Sequence, residues 1–179
     1  MGIDVPPDAG RPRAGVARVP ADDVQISPAT PDEVEHLLAA SRHAFAESLA
    51  RHRGLSPADA AEKADRDTAA LLPDGAGTEG QVFLAARRGG DLAGAVWAAV
   101  QGPDRPDAAW IYFVWVAPAG RRRGLGRRLV EEAATAVRTR GARYLQLNVF
   151  GDNTAAIALY ESMGFTVAAQ QMTRPLTEG

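Results

Sequence analysis

Apolar residues recur along this chain with two different periods, and the switches between them mark its elements. VQIS, from Val24 to Ser27, has strand composition. After Thr30 the positions Val34, Leu37, Leu38 and Phe45 fall at helical spacing, behind a first turn of Pro31, Asp32 and Glu33 that suits a helix start. A second helix is expected from Ser56-Pro57 towards Leu72, where Pro73-Asp-Gly-Ala-Gly stops it. QVFLAAR and LAGAVWAAV read as strands, and Arg88-Gly89-Gly90-Asp91 between them is a hairpin signal. Gly102 to Pro106 turns the chain again into AWIYFVWV, completing a three-stranded antiparallel meander. Leu125, Leu129, Val130, Ala133, Ala134 and Val137 then return to helical spacing. Leu145, Leu147 and Val149 alternate with Tyr144, Gln146 and Asn148, a strand with two unlike faces. Ala155 to Met163 is a short apolar helix, capped by Asp152 or Asn153 and closed by Gly164. FTVAAQQMTRPL is expected to form a final strand paired with YLQLNV.

The junction between the third meander strand and the long helix carries candidate chemistry. VAPAGRRRGLGR, Val116 to Arg127, sets three arginines against a Gly-Leu-Gly turn that opens the helix. The first N–H groups of a helix have no internal partner and the macrodipole is positive there, which favours an anion by roughly 0.3–2 kcal/mol. Gly124 and Gly126 carry no side chain to hold a phosphate off the backbone, and Arg121, Arg122 and Arg123 add charge-assisted contacts. A dinucleotide fingerprint needs a third glycine where Leu129 stands, and a Walker A loop needs Gly-Lys-Ser/Thr; neither is present.

The order Val116, Pro118, Arg121, Gly124, Gly126 resembles the acetyl-CoA-binding motif of the GNAT superfamily of N-acetyltransferases. Downstream, Asn153, Ala156 and Tyr160 ahead of Gly164-Phe165 are similar to a second motif of that superfamily. Asn153 and Tyr160 are seven residues apart, close to two helical turns, so they project from nearly one face. The resemblance covers roughly residues 24 to 175. It implies a mixed α/β (α+β) fold in which a mostly antiparallel, twisted central sheet splays at the cofactor site, with flanking helices. It further implies that acetyl-CoA is co-substrate, its diphosphate held by Arg121, Arg122, Arg123, Gly124, Leu125, Gly126 and Arg127. The backbone of Val114, Trp115 and Val116 would meet the pantetheine arm, Asn153 would steady it, and Tyr160 would be the general acid for the departing thiolate.

Composition changes this picture little. With 179 residues, 46% hydrophobic, the chain supports one core, expected over residues 23–179 behind a flexible leader at 1–22 that carries four prolines. No apolar window reaches the roughly 18 residues of a membrane span, and the leader has no signal-peptide core. Cysteine is absent, which excludes disulfides and thiolate nucleophiles; together these features point to the cytoplasm. Net charge is −2 and Lys63 is the only lysine, so a nucleic-acid surface is not expected, and an arginine at any one position says little. His36, His43 and His52 lack metal-ligand spacing, and no metal is expected.

The acceptor side is less defined. AWIYFVWV holds no acid, and Asn148 stands on the next strand where a Glu would be a natural base. A water near Tyr112 or Asn148, or Glu47 from the first helix, are the remaining candidates. Among Trp97, Trp110, Tyr112, Phe113 and Trp115, most rings are expected in the core on alternating faces, with one or two lining the acceptor pocket. The expected reaction is acetyl transfer to a small-molecule or peptide amine by direct attack in a ternary complex. The alternatives are a non-catalytic CoA-binding regulatory module, or an acyltransferase using a longer acyl-CoA or a carrier-protein thioester. A homodimer is allowed and not required.

Overall fold

A computed structural model of the chain describes residues 23–103, 105–174 and 176, so the leader expected over 1–22 lies outside the described residues. Its elements in chain order are β1 (Val24–Pro28), α1 (Pro31–Arg53), α2 (Pro57–Leu71), β2 (Gln81–Arg88), β3 (Asp91–Ala99), β4 (Ala108–Val116), α3 (Leu125–Arg138), β5 (Tyr144–Leu147) and α4 (Thr154–Glu161). Local chemistry explains the boundaries. Thr30 and Glu33 form a reciprocal capping box at the start of α1, with Glu33 accepting from the Thr30 N–H at 2.7 Å. Glu33 also pairs with Arg87 on β2, and that guanidinium holds its carboxyl below the usual carboxylate range while fastening α1 to the sheet. Ser56 caps α2 through the Asp59 N–H, and the helix gives out at Leu71, before Pro73.

The five strands form one sheet in the order β1-β2-β3-β4-β5. The first four are antiparallel; β5 runs parallel to β4, a connection that needs a crossover, which α3 supplies. Two apolar clusters cover the two faces. On one, Leu125, Leu129, Val130, Ala133 and Val137 of α3 pack on Val82, Val96, Ile111 and Val114, together with Ala156 and Tyr160 of α4. On the other, Leu37 and Ala44 of α1 pack on Trp97, Tyr112 and Phe113. Trp97 is fully buried there, stacked on Phe83 and tilted against Tyr112, and its indole N–H donates to Gln81 Oε1 at 2.7 Å.

Three expectations change. The rings of β4 do not alternate strictly, because the β3–β4 register steps from Trp97↔Phe113 to Ala98↔Ile111 and leaves Tyr112 as an extra residue. This bulge puts Tyr112 and Phe113 on the same face, the one under α1. β5 stops at Leu147 rather than Val149, and α4 stops at Glu161 rather than Met163. The final strand expected over Phe165–Leu176 does not form among the described residues. That segment offers Ala-Ala-Gln-Gln in its middle instead of a β-branched alternating face, and Val167 and Met172 stand 76% and 85% exposed.

Candidate functional site

The sheet opens into a fork. β4 and β5 are paired only over Ala108–Ile111 and Tyr144–Leu147. β4 then continues to Val116, bonded on its other side to Gly94, Ala95 and Val96 of β3, while the chain after Leu147 leaves the sheet. Val114, Trp115 and Val116 therefore lie on the arm of the fork with no β5 partner. Val114 is buried; Trp115 and Val116 are half-buried.

The arginine-glycine turn lies where this arm ends. Arg122 has φ +56° and Gly124 φ +81°, so the backbone passes twice through the left-handed region before α3 begins. Only glycine adopts the second of these without cost. The first bond into the helix runs from Arg128 N–H to the Gly124 carbonyl at 3.1 Å. Among the described residues, the N–H groups from Arg122 to Arg127 have no acceptor. Helices α1, α2 and α4 are each closed by a capping side chain, Thr30, Ser56 and Asn153; α3 is not. Successive amides without acceptors, beside left-handed backbone at two positions, form the kind of concavity, or nest, that suits an anion.

The arginines divide. Arg121 is half-buried and its Nε donates to the Val116 carbonyl at 3.2 Å, so it braces the turn. Arg127 donates to Ser162 Oγ at 2.7 Å at the end of α4, and Arg128 donates to the Val24 carbonyl. Arg122 and Arg123 are exposed, with no side-chain partner among the described residues. The Leu125 side chain sits in the core, so only its amide, which has no acceptor among the described residues, is left to contribute to the nest.

Packing brings the second motif to the first. A carbon added at Gly126 would sit 3.4 Å from Leu159 Cδ2, so α4 lies directly against the start of α3, where Arg127 also reaches Ser162. Asn153 Oδ1 accepts the Ala156 N–H at 3.2 Å and so acts first as the cap of α4. Tyr160 is 4% exposed, edge-on to Phe165 at 5.4 Å, and burial pushes its hydroxyl pKa well up. Burial raises Tyr112 too. Both phenols stay protonated in the native state at pH values where an unfolded tyrosine, with a pKa of about 10, ionises. The unfolded state then holds fewer protons, so stability is unaffected below about pH 10 and falls above it. Melting temperatures from pH 8 to 11 are expected to drop less steeply in Tyr160→Phe; equal slopes would show a freely ionising hydroxyl.

Of the other candidates, Glu47 is 3.5 Å from His43 on the surface of α1, Asn148 is exposed beyond β5, and His36 meets Trp115 edge-on at 5.5 Å. The sequence reading missed a cluster in which Arg51 and His52 close on Asp152 and His52 stacks on Phe150. Its partners are about a hundred positions apart, so no local pattern could reveal it. Among the described residues no group of three or more His, Asp or Glu could hold a metal ion, and no helix is long and apolar enough to cross a membrane. Two depressions of about 760 and 540 Å³ share Gln81 and Arg140 beyond the far end of α3, and neither is lined by fork residues.

The model of the acetyltransferase (GNAT) family matches residues 42–165, a span that holds the fork, the nest and α4. The chain belongs to this family. Its GNAT relatives include the mycothiol acetyltransferase of Thermobispora bispora, 42% identical over 88 residues, which are 47% of this chain and 30% of that protein. The [ribosomal protein bS18]-alanine N-acetyltransferase of Salmonella typhimurium is 48% identical over 62 residues, 35% of this chain and 42% of that one. The match thus spans less than half the length of these relatives. Among solved structures, YycN of Bacillus subtilis superposes with a TM-score of 0.77 at 26% identity, covering 87% of this chain and 99% of that one.

Proposed function

We propose that the chain transfers an acetyl group from acetyl-CoA to a primary amine by direct attack in a ternary complex. The observation that carries this is the uncapped start of α3, whose free amides open where the fork's β4 arm ends. The amides of Arg122 to Arg127, with the side chains of Arg122 and Arg123, hold the diphosphate. The unpaired side of Val114–Val116 lies along the arm that carries the thioester. Acetyl-CoA supplies an activated acyl carbon: the amine nitrogen bonds to it, the carbon–sulfur bond breaks, and the amine loses a proton as the thiolate gains one. Tyr160 gives its hydroxyl proton to sulfur, and the proton that the amine gives up returns through solvent to restore the phenol. A free thiol has a pKa of about 8.5, below that of a phenol, and burial widens the gap by raising Tyr160. The same burial raises the basicity of a thiolate released beside it, which keeps the transfer within reach.

One observation favours a second reading, a CoA-binding module without turnover: β4 carries no acid, and Asn148 stands in place of one just past the end of β5. The two readings part when the protein is mixed with acetyl-CoA and a panel of amines while free thiol is followed. The relatives' names include an alanine of a ribosomal protein and mycothiol, so peptides and small amines both belong in the panel. Amine-dependent thiol release supports the enzyme; CoA binding without release supports the module, and release only with longer acyl donors points to a different acyl group.

Replacing Arg122 and Arg123 together with Ala is expected to weaken CoA binding about tenfold and flatten its dependence on salt, since two exposed charges are lost while the amides remain. Calorimetry at two salt concentrations checks this. An unchanged affinity would leave the amides as the whole grip.

A further inference from the structure

Helix α1 is pinned to both sides of the fork. Near its start His36 meets Trp115, on the β4 arm, with ring centroids 5.5 Å apart. Sixteen residues on, about 24 Å along a helix, its last turn closes on the loop that follows β5. There Arg51 Nη1 and His52 Nε2 lie 3.4 and 3.3 Å from Asp152 Oδ2, and the His52 ring stacks on Phe150 at 4.6 Å with the planes 10° apart. Asp152 immediately precedes Asn153, whose side chain caps α4, and Tyr160 lies two turns along that helix. In this loop Gly151 and Asp152 are exposed, and the Asn153 N–H donates to the Phe150 carbonyl at 3.0 Å.

We propose that Asp152 is a positioning residue for Tyr160, acting through its clasp with His52 and Arg51 on the loop that starts α4. The inference rests on the acetyl-transfer reading above. Partly exposed ion pairs contribute little to global stability, so the clasp is poorly explained as a folding device. Its leverage is geometric. A misplacement of about 1 Å at the reacting centre can cost as much as 10²-fold in rate, and the clasp joins α1 to the segment from which α4 departs.

Asp152→Ala is expected to lower kcat on the order of tenfold while the Kd for CoA stays within about twofold, because the nest at Arg122–Arg127 is not part of the clasp. Asp152→Glu keeps the charge and is expected to recover most of the loss. His52→Ala should show a similar drop, and the double variant should be little worse than either single, as for residues acting through one contact. Melting temperatures of all variants, measured alongside, should stay within a few degrees of the parent. A parent that turns over while Asp152→Ala keeps its kcat within twofold overturns this inference alone, as do losses that multiply in the double variant. A parent that releases no thiol with any amine overturns the acetyl-transfer reading and this inference with it.

Discussion

Tyr160→Phe is expected to lower turnover at saturating acetyl-CoA and amine by about 10²-fold or more, with the Kd for CoA within about twofold of the parent. The substitution removes one oxygen and keeps the ring, which is buried and edge-on to Phe165. Packing of α4 against the start of α3 runs through Leu159 and Ser162, neither of which is touched. What is lost is the hydroxyl that the proposed reaction uses to protonate the leaving sulfur. Because burial raises its pKa, Tyr160 remains a proton donor across the working range, and the parent's pH profile should show no loss of this acid below about pH 10. Steady-state kinetics of the two proteins across pH 6 to 10, with thiol release as the signal, measure both points. Turnover within twofold of the parent would remove Tyr160 from proton transfer and leave it a core residue.

Much of the frame was legible because local chemistry dictates it. Thr30 and Glu33 write a capping box into four residues, Ser56-Pro57 starts a helix as expected, and the glycine pair at 89–90 joins β2 to β3. The fork was expected from the resemblance, and the pairing of β4 with β5 over only four residues bears it out. Features set by distant contacts were not legible. The Tyr112 bulge sets two neighbouring rings under α1, and nothing in WIYFVWV distinguishes it from an even strand. Three adjacent arginines look equivalent in sequence, yet Arg121 turns back to the Val116 carbonyl while Arg122 and Arg123 stay outside. By contrast the cap of α4, open in sequence between Asp152 and Asn153, is a local choice, and Asn153 makes it. The segment after Gly164 was expected to pair with β5 because both read as strands; strand pairing needs a buried face to fix it, and beyond Phe165 this segment leaves Val167, Met172 and Leu176 in water.

Gly94 is the position where a single added carbon is expected to do most damage to the scaffold of the site. On β3 it stands opposite Val116, at the end of the open arm, and α3 crosses directly above it. A Cβ built there would lie 2.9 Å from the Trp115 carbonyl oxygen, 3.0 Å from Leu129 Cδ1 and 3.4 Å from Leu125 Cδ2. The leucines can shift a little; the carbonyl belongs to the strand and can move only with it. Gly94→Val is therefore expected to cost about 1–3 kcal/mol through overpacking, or roughly 2–12 °C in melting temperature for a chain of this size. It should also weaken CoA binding about tenfold, since α3 must lift and its first turn carries the nest. Gly124 supplies the contrast, because nothing lies within 4 Å of a carbon added there and its only demand is φ +81°. Asn tolerates the left-handed region, so Gly124→Asn should keep most of the stability, whereas Gly94→Asn should fare no better than Val. Thermal melts of the four proteins, with CoA calorimetry on those that fold, separate the two demands. A Gly94→Val protein that melts within 1 °C of the parent would mean that α3 does not rest on the sheet at this point.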